Sequence, residues 1–440
     1  MSLLGAMNTA ISGLTSQSAA FGDISDNVAN SQTTGYKEVA TSFVDYLTTS
    51  TPSVNDPGAV VAQPDYLNNV QGTITQVTNP LAMAIAGQGF FAVSQQTGEA
   101  NGIPTFNPQQ FYSRAGDFQL NSDGYLVNSA GQYLNGWSVD PSTGAVNQNS
   151  LAPIKVTQTV YNPVATSEVT LSANLPASPA TGTGTAASPI SSDIDVYDSL
   201  GTQHVITLNW VQNADNDWTV SVVSPDDLNA SAIGSAEVQF GATSGNPVPE
   251  GTVGQITNTT GNVTTTGYSA NTAATLDFTT DFGSGPQTIE LNLGTYGETN
   301  GVTQYAGSQY NLEGLTQNGV PPGSFAGVTP QANGDIVVNY NNGQTRTIAQ
   351  VPLVTFNDPD TLQRQDGQSF TATIASGTPL AEEASTNGAG NLVIGSVESS
   401  NVDIATEFSS LIVAQQAYSA NAKMVTTAQQ MLQTTVDMKQ

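Results

Sequence analysis

The chain carries a single histidine, His204, with Asp198 six residues before it. A histidine oriented by a carboxylate belongs to nucleophilic hydrolysis, but that chemistry also needs a nucleophile and a cleft. His204 shares strand parity with Ile206, Leu208 and Trp210, which places it at the rim of an apolar sheet face. Gly87-x-Gly89-x-x-Ala92 has the outline of a dinucleotide fingerprint. Such a loop must open a helix, whereas Phe90-Phe91-Ala92-Val93 reads as a strand ending at Thr97-Gly98, so the glycines mark a turn between strands. With no cysteine, one histidine and no Asp/Asn/Gly loop of calcium spacing, no metal site is expected, and Asp215-Asn216-Asp217 reads as a solvated turn. Arg114, one of four basic residues between positions 41 and 400, is expected to pair with a carboxylate for structural reasons. Seven basic residues cannot build a phosphate-neutralising patch, which excludes nucleic acid as a partner. The expectation is no catalytic residue, no cofactor, no metal ligand and no enzymatic activity.

The stronger patterning lies at the two ends. Leu4, Met7, Ile11, Leu14, Ser18, Phe21, Ser25 and Val28 step by three and four, the spacing of one helix face. Gly5, Gly13 and Gly22 weaken that helix, so it needs a partner, and the serines in the stripe would let one come close. At the other end Ile404, Phe408, Leu411, Gln415, Tyr418, Ala422, Val425, Gln429, Leu432 and Val436 hold the same spacing over more than four heptads. Ser400 is expected to cap this second helix, with Asp403 in its first turn and Lys439 in its last. At about 1.5 Å per residue it is roughly 55 Å long, more than a small domain can cover. Two such helices at opposite ends of one chain point to a coiled-coil-like assembly element. Its expected contact residues are Leu4, Met7, Ile11, Leu14, Phe21, Val28, Ile404, Phe408, Leu411, Tyr418, Val425, Leu432 and Val436.

Between the stripe and the rest of the chain stands Asn27-Val28-Ala29-Asn30-Ser31-Gln32-Thr33-Thr34-Gly35-Tyr36-Lys37. This run resembles the N-terminal signature of the bacterial flagellar rod and hook proteins, with Asn27, Asn30, Thr34, Gly35, Tyr36 and Lys37 as the matching residues. Ser400-Asn-Val-Asp-Ile404, Glu407-Phe408, Gln415-Gln416-Ala417-Tyr418 and Ala420-Asn421-Ala422-Lys423 are similar to their C-terminal signature. Gln416 departs from it, standing where that family commonly has Arg, so an ion pair made there between subunits is in doubt. Gly89-Phe90-Phe91, Arg114-Ala115-Gly116 and Asp123-Gly124-Tyr125-Leu126 resemble the family's shared β domain. Asp195 through His204 resembles the outer domain of hook proteins in particular, which favours hook over rod.

The middle of the chain reads as β. Pro52, Pro57 and Pro64 fall in a loose stretch, so residues 37–70 are expected to be an extended connector. Asn121-Ser122-Asp123-Gly124 between alternating segments signals a hairpin. Residues 176–190, rich in Ser, Thr, Pro, Gly and Ala, mark a candidate boundary region. Ile194, Val196, Ile206, Leu208 and Trp210 are expected to face Trp218, Val220 and Val222 across a loop at Gln212–Asp217. Residues 241–325, rich in Gly, Thr and Asn, read as a looped, surface-facing insertion. The expected fold is mainly β with long helical termini and β domains nested between them. Residues 1–36 with 400–440 form the helical assembly domain, 71–165 with 326–399 an inner β domain, and 166–325 an outer one.

The resemblance implies a structural subunit of the bacterial flagellar hook, self-assembling into a hollow, flexible tube that passes torque from rod to filament. It also implies rod, hook-cap and hook–filament junction proteins as partners. The alternatives are a distal rod subunit of the basal body or a secreted adhesin-like module. The N-terminus lacks a basic region and a continuous apolar run, so export without a cleaved signal peptide is expected, to an extracellular place in the flagellum. No stretch approaches 18 apolar residues, so no membrane insertion is expected. Of the net charge of −28, −2 falls in residues 1–40 and −1 in 401–440, leaving −25 to the middle. Nearly neutral ends suit self-packing, while an acidic middle resists non-specific association.

Overall fold

The computed structural model describes residues 3–51, 54–141, 143–179, 182–229 and 231–438. The chain is mainly β, with one long helix towards each end. It divides into two compact units, the first made of residues 1–158, 326–339 and 345–440, the second of 159–325 and 340–344.

In the first unit α1 (Leu3–Ala29) and α2 (Ile404–Asp437) run antiparallel, with Gly13 against Asn421 and Asn27 against Glu407. Asp403, not Ser400, is the N-cap of α2. Its carboxylate accepts the N–H groups of Ala405 and Thr406 at 2.8 and 3.2 Å. The charged cap also favours the helix dipole, while the Ser400 hydroxyl accepts only the N–H of Val402, outside the helix. Lys439 lies outside the described residues.

Residues 37–70, expected as a connector, are extended but paired with themselves. The strands β1 (Val39–Thr51) and β2 (Val54–Tyr66) form an antiparallel ribbon with Val39 opposite Tyr66 and Val44 opposite Val61. The ribbon lies on α1: the Ser16 hydroxyl donates to the Val60 carbonyl at 2.9 Å, and the Val60 N–H donates to Ser12 Oγ at 3.1 Å. The contact serines are therefore Ser12 and Ser16, whereas Ser18 and Ser25 are exposed.

The β part of this unit draws its strands from both halves of the chain. Asp335–Tyr340, Thr345–Gln350, Gln132–Val139, Phe90–Ala100, Phe111–Ser113, Ser369–Thr371 and Gln363–Gln365 follow one another across the sheet. Met83, Phe91, Phe118, Leu134, Ile336 and Leu353 are among the residues of its core. Gly87-Gln88-Gly89 links the strands Met83–Ala86 and Phe90–Ala100 with no helix after it. The second of these strands runs past Thr97-Gly98 through a bulge, and the turn falls at Asn101-Gly102, both with left-handed φ (55° and 75°). Two short pairings bind the chain's ends together: Ile74–Gln76 with Ser396–Glu398, and Met83–Ala86 with Asn391–Ile394.

The second unit is two sheets sharing one apolar core. A meander of Ile190–Tyr197, Gln203–Ala214, Asp217–Val223, Ala232–Phe240 and Val253–Gly261 forms one sheet. Glu168–Pro176 and later strands from Val263–Thr265 to Asn311–Gln317 form the other. Ile194, Val196, Ile206, Leu208, Trp210, Trp218, Val220 and Val222 are buried as their parity requires, with Trp210 opposite Val220. Residues 241–325 are not a surface insertion. Leu276, Phe278, Ile289, Leu291 and Leu293 are fully buried and supply much of the second sheet's face. Thr, Asn and Asp on the outward parity dilute the apolar signal to a residue here and there, which hides the alternation. Residues 176–190 lie inside this unit and join one sheet to the other.

Asp217 sits at a strand start beside Glu237 on the neighbouring strand. Burial, then the hydrogen bond and charge of Glu237, push its carboxyl up to about 6. Glu237, hydrogen-bonded by Asp217 and by the Asn258 amide, is held below its ordinary range. A carboxyl whose folded pKa is raised contributes stability at low pH that is lost as pH rises from about 4 to about 6. The depressed Glu237 acts in a separate window, losing its contribution as pH falls below about 4. In a Trp137→Phe background, Trp210 and Trp218 report this unit's unfolding. The urea midpoint should fall between pH 5 and pH 7, and Asp217→Asn should flatten that slope and raise the midpoint at pH 7. An unchanged slope in the variant would show that this pair does not govern the unit's pH response.

Candidate assembly interface

The helices are fixed to the β domain by a buried ion cluster. Glu398 Oε1 takes Lys37 Nζ at 2.6 Å and Glu398 Oε2 takes Arg114 Nη1 at 3.0 Å, with all three side chains out of solvent. The remaining donors and acceptors are backbone groups. Gly72 N–H donates to Glu398 Oε1 at 2.8 Å, Lys37 Nζ donates to the Val70 carbonyl, and Arg114 Nη2 donates to the Gly87 carbonyl at 2.8 Å. Arg114 also lies over the Phe90 ring. Burial pulls the Lys37 ammonium below its ordinary range, opposed by the Glu398 charge, and burial lowers Arg114 against the same opposition. Arg114 is thus the structural pair expected of it, with Glu398 as its partner. Sequence reasoning did not identify Glu398, because nothing local separates it from the other 34 acidic residues.

The six residues of the N-terminal motif lie at this junction. Asn27 is buried and makes four contacts: its Nδ2 donates to the Val39 carbonyl (2.9 Å) and Glu407 Oε1 (3.1 Å), and its Oδ1 accepts Val39 N–H and Tyr36 OH, both at 3.1 Å. Asn30 Nδ2 donates to the Asp26 carbonyl, and its Oδ1 accepts the Thr33 hydroxyl. Thr34 is half-buried. Gly35 takes φ +70°, its N–H donates to the Glu398 carbonyl at 2.8 Å, and a Cβ there would stand 2.4 Å from the Ala115 nitrogen. Only glycine fits that approach. The Tyr36 ring packs under the Arg364 guanidinium at 4.7 Å, and burial raises its hydroxyl pKa.

The expected contact residues on the helices separate into two sets. Met7, Leu14, Phe21, Val28, Leu411, Val425 and Leu432 are half-buried, while the Leu4 side chain lies outside the described residues. Ile11, Ile404, Phe408, Tyr418 and Val436 are exposed, Phe408 at 52%. The α2 face turned inward is rotated partly from the expected stripe: its fully buried positions are the small or polar Glu407, Ala414 and Ala428, flanked by the half-buried Leu411, Val425 and Leu432. Small side chains let the helix backbones approach closely, and Tyr418 still reaches Phe21 edge-on at 6.1 Å. The larger apolar side chains Phe408, Ile412, Val413, Met424, Met431 and Val436 are left exposed around the rest of the helix.

His204 is a structural tie in the second unit. It stacks on Phe282 at 4.1 Å, with Nδ1 3.0 Å from Asp226 Oδ2 and Nε2 3.7 Å from Asp198 Oδ2. Burial pushes the Asp198 carboxyl up, but the N–H groups of Thr202 and Leu200, with His204, outweigh it and hold the pKa below its ordinary value. Ser284 reaches Asp198 at 3.5 Å rather than the imidazole, so these three groups are not ordered for nucleophilic attack. Among the described residues no group of three or more His, Cys, Asp or Glu is arranged to hold a metal ion.

Four family models match the chain. They are described as Flagella basal body rod protein (residues 7–37), Flagellar hook protein FlgE/F/G D1 domain (84–174), Flagellar basal body protein FlaE D2 domain (166–320) and Flagellar basal body rod FlgEFG protein C-terminal (394–438). The flagellar hook protein FlgE of Rhizobium meliloti is 28% identical over 448 residues, covering 100% of both chains. That of Escherichia coli K12 is 29% identical over 442 residues, covering 99% of this chain and 100% of its own. The solved structure of the Helicobacter pylori flagellar hook protein FlgE2 aligns with a TM-score of 0.46 at 14% identity, covering 72% of this chain and 98% of that one.

Removing the carboxylate from the ion cluster strands two buried cations. Glu398→Gln should therefore destabilise the first unit by roughly 3–5 kcal/mol in urea unfolding, the cost of breaking a buried pair from one side. A loss of less than about 1 kcal/mol would mean that Lys37 and Arg114 are satisfied without Glu398.

Proposed function

The chain belongs to the flagellar rod and hook protein family, and on that premise we propose that it is the structural subunit of a bacterial flagellar hook. The observation that carries the assembly reading is the exposure of Phe408, Ile412, Val413, Met424, Met431 and Val436 on one long helix anchored at its base. A chain with net charge −28 has no folding reason to expose so many large apolar side chains on one element; a polymer that buries them does. In this reading residues 1–36 and 400–440 are the self-assembly domain lining a hollow tube. The acidic, polar surfaces of the middle of the chain suit contacts that slide as a tube bends and passes torque from rod to filament. Neighbours at the two ends of such a tube are rod, hook-cap and hook–filament junction proteins. The distal-rod alternative is weaker, because the hook proteins cited above match this chain over its whole length.

The test separates folding from assembly. Phe408→Asp should leave the monomer's circular dichroism and melting unchanged, because the side chain is half exposed there, yet abolish polymer. Electron microscopy of the unaltered protein should show curved, bendable tubes; straight rigid ones indicate rod. Normal tubes from Phe408→Asp would remove Phe408 from the interface.

A further inference from the structure

A groove of about 450 Å³ runs between α1, β1 and the first turns of α2. Its apolar walls are Ala20, Ile24, Val39, Phe43, Val413 and Ala414, and Glu38 and Glu407 also line it. Glu407 is only 5% exposed. Its Oε1 accepts from Asn27, and its Oε2 is buried with no donor but the neighbouring Glu38 carboxyl, which can donate only while it keeps its proton. The charged groups around the pair are all acidic: Asp23 from α1, Asp403 from α2, and the two glutamates themselves. Burial, reinforced in Glu38 by the neighbouring Glu407 charge, raises both carboxyls above their ordinary range. The site thus offers an apolar channel ending at two carboxyls with no cation beside them among the described residues. A lysine matches it, with a four-carbon stem for the walls and an ammonium for the carboxyls.

We propose that this groove is the seat of Lys423 from a second copy of the chain. The other described basic side chains are engaged or enclosed. Lys37 and Arg114 bind Glu398, Lys155 lies over Tyr125, Arg364 over Tyr36, and Arg346 is half-buried. Lys423 is exposed on α2 and makes no ion pair among the described residues. It cannot fill its own groove: it lies sixteen residues beyond Glu407 on one helix, about 24 Å along the axis. The contact must therefore join two copies, and repeated head to tail without closing it propagates as a helical array. In the polymer the ammonium replaces the Glu38 proton as the donor to Oε2, and burial of the stem excludes water from the pair. This inference rests on the assembly reading and specifies one of its contacts.

The experiment uses the full-length purified chain, with polymer measured by light scattering and microscopy and the monomer's fold checked by circular dichroism. Glu38→Lys and Lys423→Glu should each raise the critical concentration by about tenfold or more, and the double exchange should bring it back to within about threefold of the unaltered chain. Glu38→Gln and Lys423→Gln, milder changes, should weaken polymerisation non-additively. The chain has no cysteine. Oxidised polymer of Glu38→Cys/Lys423→Cys should therefore give a ladder of covalent multimers on a denaturing gel, and neither single variant should. Unimpaired polymer from Lys423→Glu, a double exchange no better than either single change, or no ladder would each overturn the contact while leaving the assembly reading intact. An unaltered chain that forms no polymer would overturn both.

Discussion

Glu398 sits where three parts of the chain must meet: the turn that ends α1, the inner sheet through Arg114, and the strand leading to α2. Its side chain takes both cations, and its own carbonyl takes the N–H of Gly35. Such an arrangement is poor evidence of net stability, since two ammonium-type charges and a carboxylate were all taken out of water to make it. Its value lies in register. A carboxylate with two oxygens in fixed directions accepts Lys37, Arg114 and Gly72 in one geometry, whereas an apolar plug would tolerate several. Everything α1 and α2 present to a neighbour depends on how they leave the β domain, and that exit is set here.

Beyond this anchor the helices pack by omission. Gly13 against Asn421, and Ala414 and Ala428 on the inner face of α2, bring two backbones close. Leu411, Val425 and Leu432 are half-buried beside them, while Phe408, Ile412, Met424 and Met431 stay on the outside. A helix pair built this way is weakly held as a monomer, and the ribbon of β1 and β2 compensates by clamping α1 through Ser12, Ser16 and Thr41. Apolar surface withheld from folding is the surface available to association, because the same side chain cannot be buried twice.

Periodicity carried the helices, since three-four spacing over several turns has few other readings. It carried the meander of the second unit as well, where Ile194 to Val222 alternate cleanly. It could not tell which side of α2 faces α1, because both sides carry apolar or small residues at helical spacing and only packing distance chooses between Ala414 and Phe408. It failed over residues 241–325, where inward Leu276, Ile289 and Leu291 are separated by threonines and asparagines that resemble loop composition. The ribbon was obscured by Pro57 and Pro64, which sit in a two-stranded element with edges to spare and so cost few ladder bonds. Glu398 was invisible for a different reason: an ion pair spanning 361 residues leaves no local mark.

The motif residues and the exposed apolar residues of α2 carry different parts of the protein's behaviour. Asn27, Gly35, Tyr36 and Lys37 are buried, and their polar groups are satisfied within one copy. A substitution there acts first on the fold, and on association only through the lost anchor. Phe408, Ile412 and Met424 touch solvent, so changing them leaves the copy folded and alters only what it can join. A short motif rich in asparagine and glycine is therefore better read as a joint than as a contact. The joint tolerates little change because each polar group has a partner at fixed distance.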